Sequence, residues 1–405
     1  MHKISKCRLC SSSELISVLD LGKQKLTGVF PRSIDQNISS GPLSLVWCNS
    51  CNLLQLHHSY DPNEMYGENY GYRSGLNTMM VNHLSAKTDL LTKQIGIRSG
   101  DSVLDIGSND GTLLKSYNID SLRKVGVDPT GSKFSHFYPN DIELIQDFFT
   151  ASLLKGSKFK VITAISMFYD LENPISFVRD IADILDDNGV WHFEQSYMPS
   201  MLRMNSYDTI CHEHIEYYAL KPVEKILNEC GMRLLDVKMN AVNGGSFAVT
   251  ACHHNASFKA NDSVISWLLE QERNMGLNTP KPFTDFKNRV FDHKNDLKSL
   301  LIRLKEAGKV VHGYGASTKG NVLLQFCDIT TKEIPYIAEI NQEKFGCFSP
   351  GSNIPIISDA ESKAMKPDYY LVLPWHFKSG IVNNEKEFLA KGGSLIFPLP
   401  EIEII

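Results

Sequence analysis

The feature that most restricts the fold is a short apolar run that ends in a glycine-bounded turn. Residues 101–111 read Asp-Ser-Val-Leu-Asp-Ile-Gly-Ser-Asn-Asp-Gly, with a helix predicted from Thr112. Strand, tight turn and helix in that order open a nucleotide-binding βαβ unit, in which Gly107 and Gly111 let the backbone pass close to a ligand. The turn is not G-x-G-x-x-G, and it is acidic. Asp105 and Asp110 beside the glycines suit a cofactor with an amino group and a positive sulfonium centre, and suit a pyrophosphate poorly. The next strand, over 124–128, ends at Asp128-Pro129. That is about twenty residues on, where such folds place a carboxylate on the ribose hydroxyls. Asp147 and Phe148 pair a carboxylate with an aromatic ring fit for adenine, and a fourth strand over 161–167 contains Ser166. Their order and spacing point to S-adenosylmethionine, bound by Asp105, Gly107, Asn109, Gly111, Asp128, Pro129, Asp147, Phe148 and Ser166.

Two C-x-x-C pairs stand nearer the start, Cys7 with Cys10 and Cys48 with Cys51. Each makes a knuckle presenting two thiolates, and two knuckles complete a tetrahedral Zn²⁺ site with no open position, which is a structural arrangement. A strand over 43–47 leads into the second knuckle. No thioredoxin-like βαβ pattern surrounds either pair, so a redox role is the weaker reading. A segment of about 60 residues buries little apolar surface alone, which gives a metal reason to be there.

At 405 residues the chain is too long for one ordinary core. Three domains are expected: a zinc-binding module over 1–65, an S-adenosylmethionine-binding domain over 66–235 and a second Rossmann-like domain over 236–405. The overall class is α/β. A 42% hydrophobic content and a net charge of -5 describe a folded, mildly acidic chain and speak against a nucleic-acid partner. The first residues have no apolar core of signal-peptide length, and no run is long enough to span a membrane, so a cytoplasmic location without membrane contact is expected. Nine cysteines are then expected to be reduced. A monomer is expected.

Three further runs carry chemistry. Residues 207–218 read Y-D-T-I-C-H-E-H-I-E-Y-Y. His212 and His214 flanking Glu213 supply a base near neutral pH with a carboxylate in reach. A divalent pair on a strand would need a third metal ligand from elsewhere, and polar residues satisfied at a domain junction remain a competing reading. Upstream, residues 65–74 are tyrosine-rich and include Tyr72, fit to close over a substrate or to pack as a linker. Residues 309–321 hold a second strand, turn and helix, with Gly313, Gly315 and Gly320. Gly315, Ser317, Thr318, Lys319 and Asn321 make this turn neutral to basic, a pocket for phosphate oxygens at a helix start. A degenerate repeat used only for packing is the alternative.

With the knuckles, VLDIGSNDG, YDTICHEHIEYY, GYGASTKGN and the run LVLPWHF at 371–377 in hand, the chain resembles the sugar C-methyltransferases that make C-3 branched deoxysugars, over nearly its whole length. The resemblance implies a nucleotide-diphosphate 4-keto-6-deoxyhexose held between the last two domains. It also implies His214 as the base that takes the C-3 proton, Glu213 as its neighbour and Tyr72 as an active-site tyrosine. Cys211 stands where better-known members have a tyrosine, and Phe168-Tyr169-Asp170 where they have a histidine. A carbon next to a ketone is acidic only if the enolate oxygen is stabilised, and Tyr207, Tyr217 or His212 is expected to donate to it. The rival readings are an O- or N-methyltransferase acting on a sugar, with His214 deprotonating a hydroxyl, and a zinc-ribbon nucleic-acid modifier or binder.

Overall fold

The computed structural model describes residues 1–65 and 72–405. Near the start, strands β1 (Leu15–Lys25), β2 (Ser40–Cys48) and β3 (Leu54–Leu56) form an antiparallel meander. Its inward residues, Leu19, Leu43, Leu45, Trp47, Leu54 and Leu56, are almost fully buried.

The central sheet is built from β4 (Ser102–Ile106), β5 (Arg123–Val127), β6 (Ile142–Ile145), β7 (Phe159–Ile165) and β8 (Leu185–Ser196), all parallel. Val- and Ile-rich strands of this kind are buried on both faces, which is why they read as apolar runs and not as alternation. Helix α1 (Thr78–Ile95) covers one face, with its Leu84 and Leu91 in one core cluster with Val103 and Val161. Strand β9 (Glu216–Tyr217) does not join this sheet. It pairs antiparallel with β3, so the sheet of the N-terminal module runs β9-β3-β2-β1. Strands β10 (Met232–Asn240) and β11 (Ser246–His253) close the central sheet as an antiparallel hairpin, in the order β10-β11-β8-β7-β4-β5-β6. The strand β10 runs across the 235/236 division expected from the sequence, because Val237, Phe247, Val249 and Ala251 bury their side chains in the central core.

A 26-residue helix, α2 (Lys281–Glu306), leads into the last sheet and buries Phe283, Phe286, Val290, Leu297 and Leu301 along one stripe. Strands β12 (Val311–Tyr314), β13 (Ile337–Glu339), β14 (Ile356–Ser358), β15 (Tyr369–Val372) and β16 (Ser394–Phe397) are parallel, and β17 (Glu403–Ile404) is an antiparallel edge. Their order is β14-β13-β12-β15-β16-β17. Both sheets thus reverse direction beside their first strand, at β4/β7 and at β12/β15, and ligand crevices of open α/β sheets lie at such points.

The three modules share cores. Trp47 packs on Phe283 with ring centroids 5.5 Å apart, and one cluster joins the β1–β3 meander to the C-terminal sheet, with Cys211 and Ile215 inside it. Among the described residues, no helix is long and apolar enough to cross a membrane.

Candidate functional site

The four cysteines of the knuckles converge, with their Sγ atoms all within 4.8 Å of one another. Cys7 and Cys51 stand 3.6 Å apart, and Cys10 and Cys48 3.5 Å. Tetrahedral Zn–S bonds of about 2.3 Å set sulfurs about 3.8 Å apart, so the donor set fits zinc and leaves no ligand position open. The two knuckles match: the amides of Ser11 and Asn52 donate to the carbonyls of Cys7 and Cys48, and both residues take positive φ. The Gln55 side chain donates to Cys7 Sγ at 3.1 Å, an outer-shell bond of the kind that orients a thiolate.

At the first crevice, Gly107 (φ 72°) turns the chain out of β4, and its amide donates to the Val127 carbonyl. The buried carboxylate of Asp128 accepts from the Asn109 amide at 2.7 Å and from the amide and hydroxyl of Thr130 at 2.7 and 2.5 Å. Three donors fix it and aim it along the turn, while its remaining lone pairs suit a ribose diol. Asp105 is turned into the sheet, accepting from Thr163 Oγ1 at 2.6 Å, and burial pushes its carboxyl up to about 7. The turn is roofed by residues 72–76. Ser74 and Gly75 donate from their amides to the Asn109 and Asp110 side chains, and Asn109 Nδ2 donates to the Tyr72 carbonyl. Gly111 (φ 73°) abuts Tyr138, whose hydroxyl donates to the Asn109 carbonyl. Pro129 is half-buried, and Asp147 and Phe148 are exposed beyond β6. Ser166 (φ 57°) ends β7, its amide on the Glu194 carbonyl. Tyr66 and Tyr70 of the tyrosine-rich run lie outside the described residues.

Asp128→Ala removes the acceptor that organises this turn. The expected loss in S-adenosylmethionine affinity is about 1.5–3 kcal/mol, with the fold retained, because the position ends a strand. Titration calorimetry giving unchanged affinity would take Asp128 out of the site.

Between the crevices lies the H-E-H tripeptide. It has no regular structure of its own: residues 207–209 form a turn of 3₁₀ helix, and regular pairing begins only at Glu216. His214 Nδ1 donates to the Thr209 carbonyl at 2.9 Å. A carbonyl only accepts, so the proton sits on Nδ1, and the lone pair of Nε2 is left for an incoming group. Burial, reinforced by the Lys319 ammonium, holds this imidazole down at about 4 against the Thr209 bond, and it is therefore neutral at physiological pH. Tyr169 packs edge-on against it, centroids 4.3 Å apart. Glu213 is pushed upward by burial, and its Oε2 has no hydrogen-bond partner among the described residues. His212 faces the other way, fully buried, with Nε2 on the Gly41 carbonyl at 3.3 Å.

The three expected donors part company here. Tyr207 is fully buried with its hydroxyl 3.0 Å from His293 Nδ1 and 3.3 Å from Cys327 Sγ, so it and His212 are committed elsewhere. Tyr217 lines a small cavity together with Tyr169, Thr209 and His214, and its buried hydroxyl has no partner among the described residues. Tyr72 is 47% exposed.

At the second turn Gly315 (φ 78°) abuts Pro374. Ser317 caps the helix starting at Thr318 by accepting from the Gly320 amide, and Asn321 Nδ2 donates to the Thr27 carbonyl. Lys319 reaches the central domain, donating from Nζ to the Asn243 carbonyl at 2.8 Å. Buried Asp208, which accepts from Trp375 Nε1 at 2.8 Å, faces the same ammonium, as does His376. Sequence reasoning missed Asp208, Asn243 and Trp375. The one signal for them was the polar-aromatic character of the runs that contain Asp208 and Trp375.

Three family models match the chain: a zinc binding domain over residues 7–66, a methyltransferase domain over 80–237 and a C-methyltransferase C-terminal domain over 241–400. The chain is 31% identical to the C-methyltransferase NovU of Streptomyces niveus over 414 positions, which cover 100% of this chain and 98% of that one. Among solved structures, magnesium protoporphyrin IX methyltransferase (ChlM) of Synechocystis PCC 6803 is 15% identical. It covers 46% of this chain and 90% of its own with a TM-score of 0.34. For the mitomycin 7-O-methyltransferase MmcR the values are 11%, 44%, 55% and 0.36.

Proposed function

The chain belongs to the C-methyltransferase family that contains NovU, and from that premise we propose that it methylates C-3 of a nucleotide-diphosphate 4-keto-6-deoxy sugar through an enolate. The relationship makes the chain an S-adenosylmethionine-dependent C-methyltransferase with a zinc-binding module. The observation that carries the finer reading is the tautomer and environment of His214. A neutral imidazole with an unoccupied Nε2 stands between an acid-lipped turn and a lysine-bearing turn.

Carbon methylation needs a carbanion equivalent. In this reading His214 Nε2 takes the proton from C-3, and the electron pair left behind is shared with the C-4 ketone oxygen. Tyr217, whose hydroxyl has no partner among the described residues, donates to that oxygen as its charge grows. S-adenosylmethionine, held at the turn of Gly107 and Asp128, would supply an electrophilic methyl group whose bonding electron pair stays with the sulfur of the demethylated cofactor. Lys319, which donates to the Asn243 carbonyl and whose charge reaches His214, is in this reading the cation of the turn that takes the substrate's diphosphate. Zinc, closed by four thiolates, takes no part in the reaction.

The pH dependence follows from His214. Its imidazole binds a proton only below about 4, so the base form persists as pH falls through 6.5, the ordinary histidine value. The acid limb of kcat is expected near 4, and a limb centred near 6.5 would point to a different base. The reading as a whole is tested by incubating enzyme and S-adenosylmethionine with a panel of nucleotide-linked sugars. One methyl gained on carbon, only by 4-keto sugars, is expected. Methyl gained on oxygen or nitrogen, or by sugars without the ketone, would overturn it.

A further inference from the structure

The H-E-H tripeptide is held chiefly from outside its own domain. His212 Nε2 donates to the Gly41 carbonyl, and the His212 ring takes the edge of Tyr60 at 4.7 Å between centroids. Tyr60 is in turn fixed by its hydroxyl on the Pro42 carbonyl at 2.5 Å. On the other flank the Leu56 amide donates to the Ile215 carbonyl at 2.8 Å, and β9 pairs Glu216 with Gln55 and Tyr217 with Leu54. Between these two anchors a Cβ placed on Gly28 would stand 2.9 Å from Glu213 Oε1 and 4.0 Å from Thr318 Oγ1. Apart from Thr318, which starts the helix after the second turn, these partners belong to the N-terminal module. Gln55, on the strand that pairs with β9, also donates to Cys7 Sγ. The central domain contributes the Thr209 carbonyl under His214 and the Tyr169 carbonyl that accepts from the Ile215 amide.

We propose that the zinc-binding module is the positioning frame of the catalytic base, with Gly28 setting the place of Glu213 by its missing side chain and Gly41, Leu56 and Tyr60 setting that of the loop carrying His214. This rests on the reading of His214 as the base. A segment without regular structure of its own gains a fixed register only from what it pairs with, and a slip of one residue in that pairing would turn His214 out of the cleft. A general base must lie within hydrogen-bond reach of its proton, and displacement by about 1 Å costs about 10²-fold. Gly28 is the sharpest point of the frame. It does not take positive φ, so alanine suits the backbone, and the added methyl is crowded by the end of the Glu213 side chain at 2.9 Å, with Thr318 Oγ1 at an ordinary contact distance of 4.0 Å.

The test uses full-length holoenzyme and four variants: Gly28→Ala, Glu213→Asp, the two combined, and His214→Asn. Gly28→Ala is expected to keep one zinc, its unfolding midpoint and its cofactor affinity while kcat falls at least about tenfold. The combined variant is expected to be at least about tenfold faster than the product of the two single effects, because the shorter acid makes room for the methyl. Wild-type turnover in Gly28→Ala, or single effects that simply multiply, would overturn the frame while leaving a slow His214→Asn as support for the base. Full turnover in His214→Asn would overturn the base reading itself. Should Gly28→Ala not fold, Tyr60→Leu serves instead. It is expected to lower kcat with cofactor affinity and zinc content unchanged, and unchanged kcat would count against the frame.

Discussion

His214→Asn lowers turnover by about 10²–10⁴, the usual contribution of a positioned general base, and leaves S-adenosylmethionine affinity where it was. Asparagine can offer an amide N–H to the Thr209 carbonyl, which His214 Nδ1 now satisfies, so the loop keeps its anchor. What disappears is Nε2 and its lone pair. The cofactor turn, at Gly107 and Asp128, makes none of its hydrogen bonds to His214, which is why binding is spared. Steady-state kinetics with calorimetry checks both halves. Hydrogen exchange at C-3 of the substrate should fall in parallel with methylation, since both pass through one enolate. Exchange that continued at the normal rate while methylation stopped would make His214 a positioning residue.

The second large effect is expected at the metal. Cys48 ends β2, directly after Trp47, and is itself fully buried. Cys48→Ser is expected to bring zinc below one equivalent per chain and to lower the unfolding midpoint by about 10 °C. This follows from a loss of several kcal/mol at a structural site and ~2–4 °C for each of them. Because β3 carries β9 on its edge, loss of the module also reaches the tripeptide, so turnover falls further than stability alone requires. Elemental analysis and scanning calorimetry decide it. A variant with a full equivalent of zinc and an unmoved midpoint would contradict a structural Cys₄ site.

Features set by local chemistry were legible in the sequence. Paired thiols must converge to share an ion, and Cys7, Cys10, Cys48 and Cys51 do. A glycine that needs positive φ between a buried strand and a helix marks a crevice, and Gly107 and Gly315 both occupy that conformation. Features set by long-range pairing were not legible. Glu216 and Tyr217 form a strand only because Leu54 and Gln55, far away in the chain, offer an edge, and nothing within the H-E-H run itself marks that pairing. The hairpin of β10 and β11 extends the central sheet beyond 235 because its apolar face finds that core. Tyr207 and His212 have the right chemistry for a donor. Which way such a side chain turns depends on partners such as His293 and Gly41, and these are supplied by other modules.

The central claim, methyl transfer to carbon through an enolate at C-3, is tested most directly by hydrogen exchange. A nucleotide-linked 4-keto-6-deoxy sugar is incubated in heavy water with enzyme, with and without S-adenosylmethionine, and examined by mass spectrometry and proton resonance. The account predicts enzyme-dependent deuterium at C-3 of recovered substrate and, with the cofactor, a product carrying one new methyl on that carbon. Methyl transfer to an oxygen or nitrogen with the C-3 hydrogen left in place would contradict it.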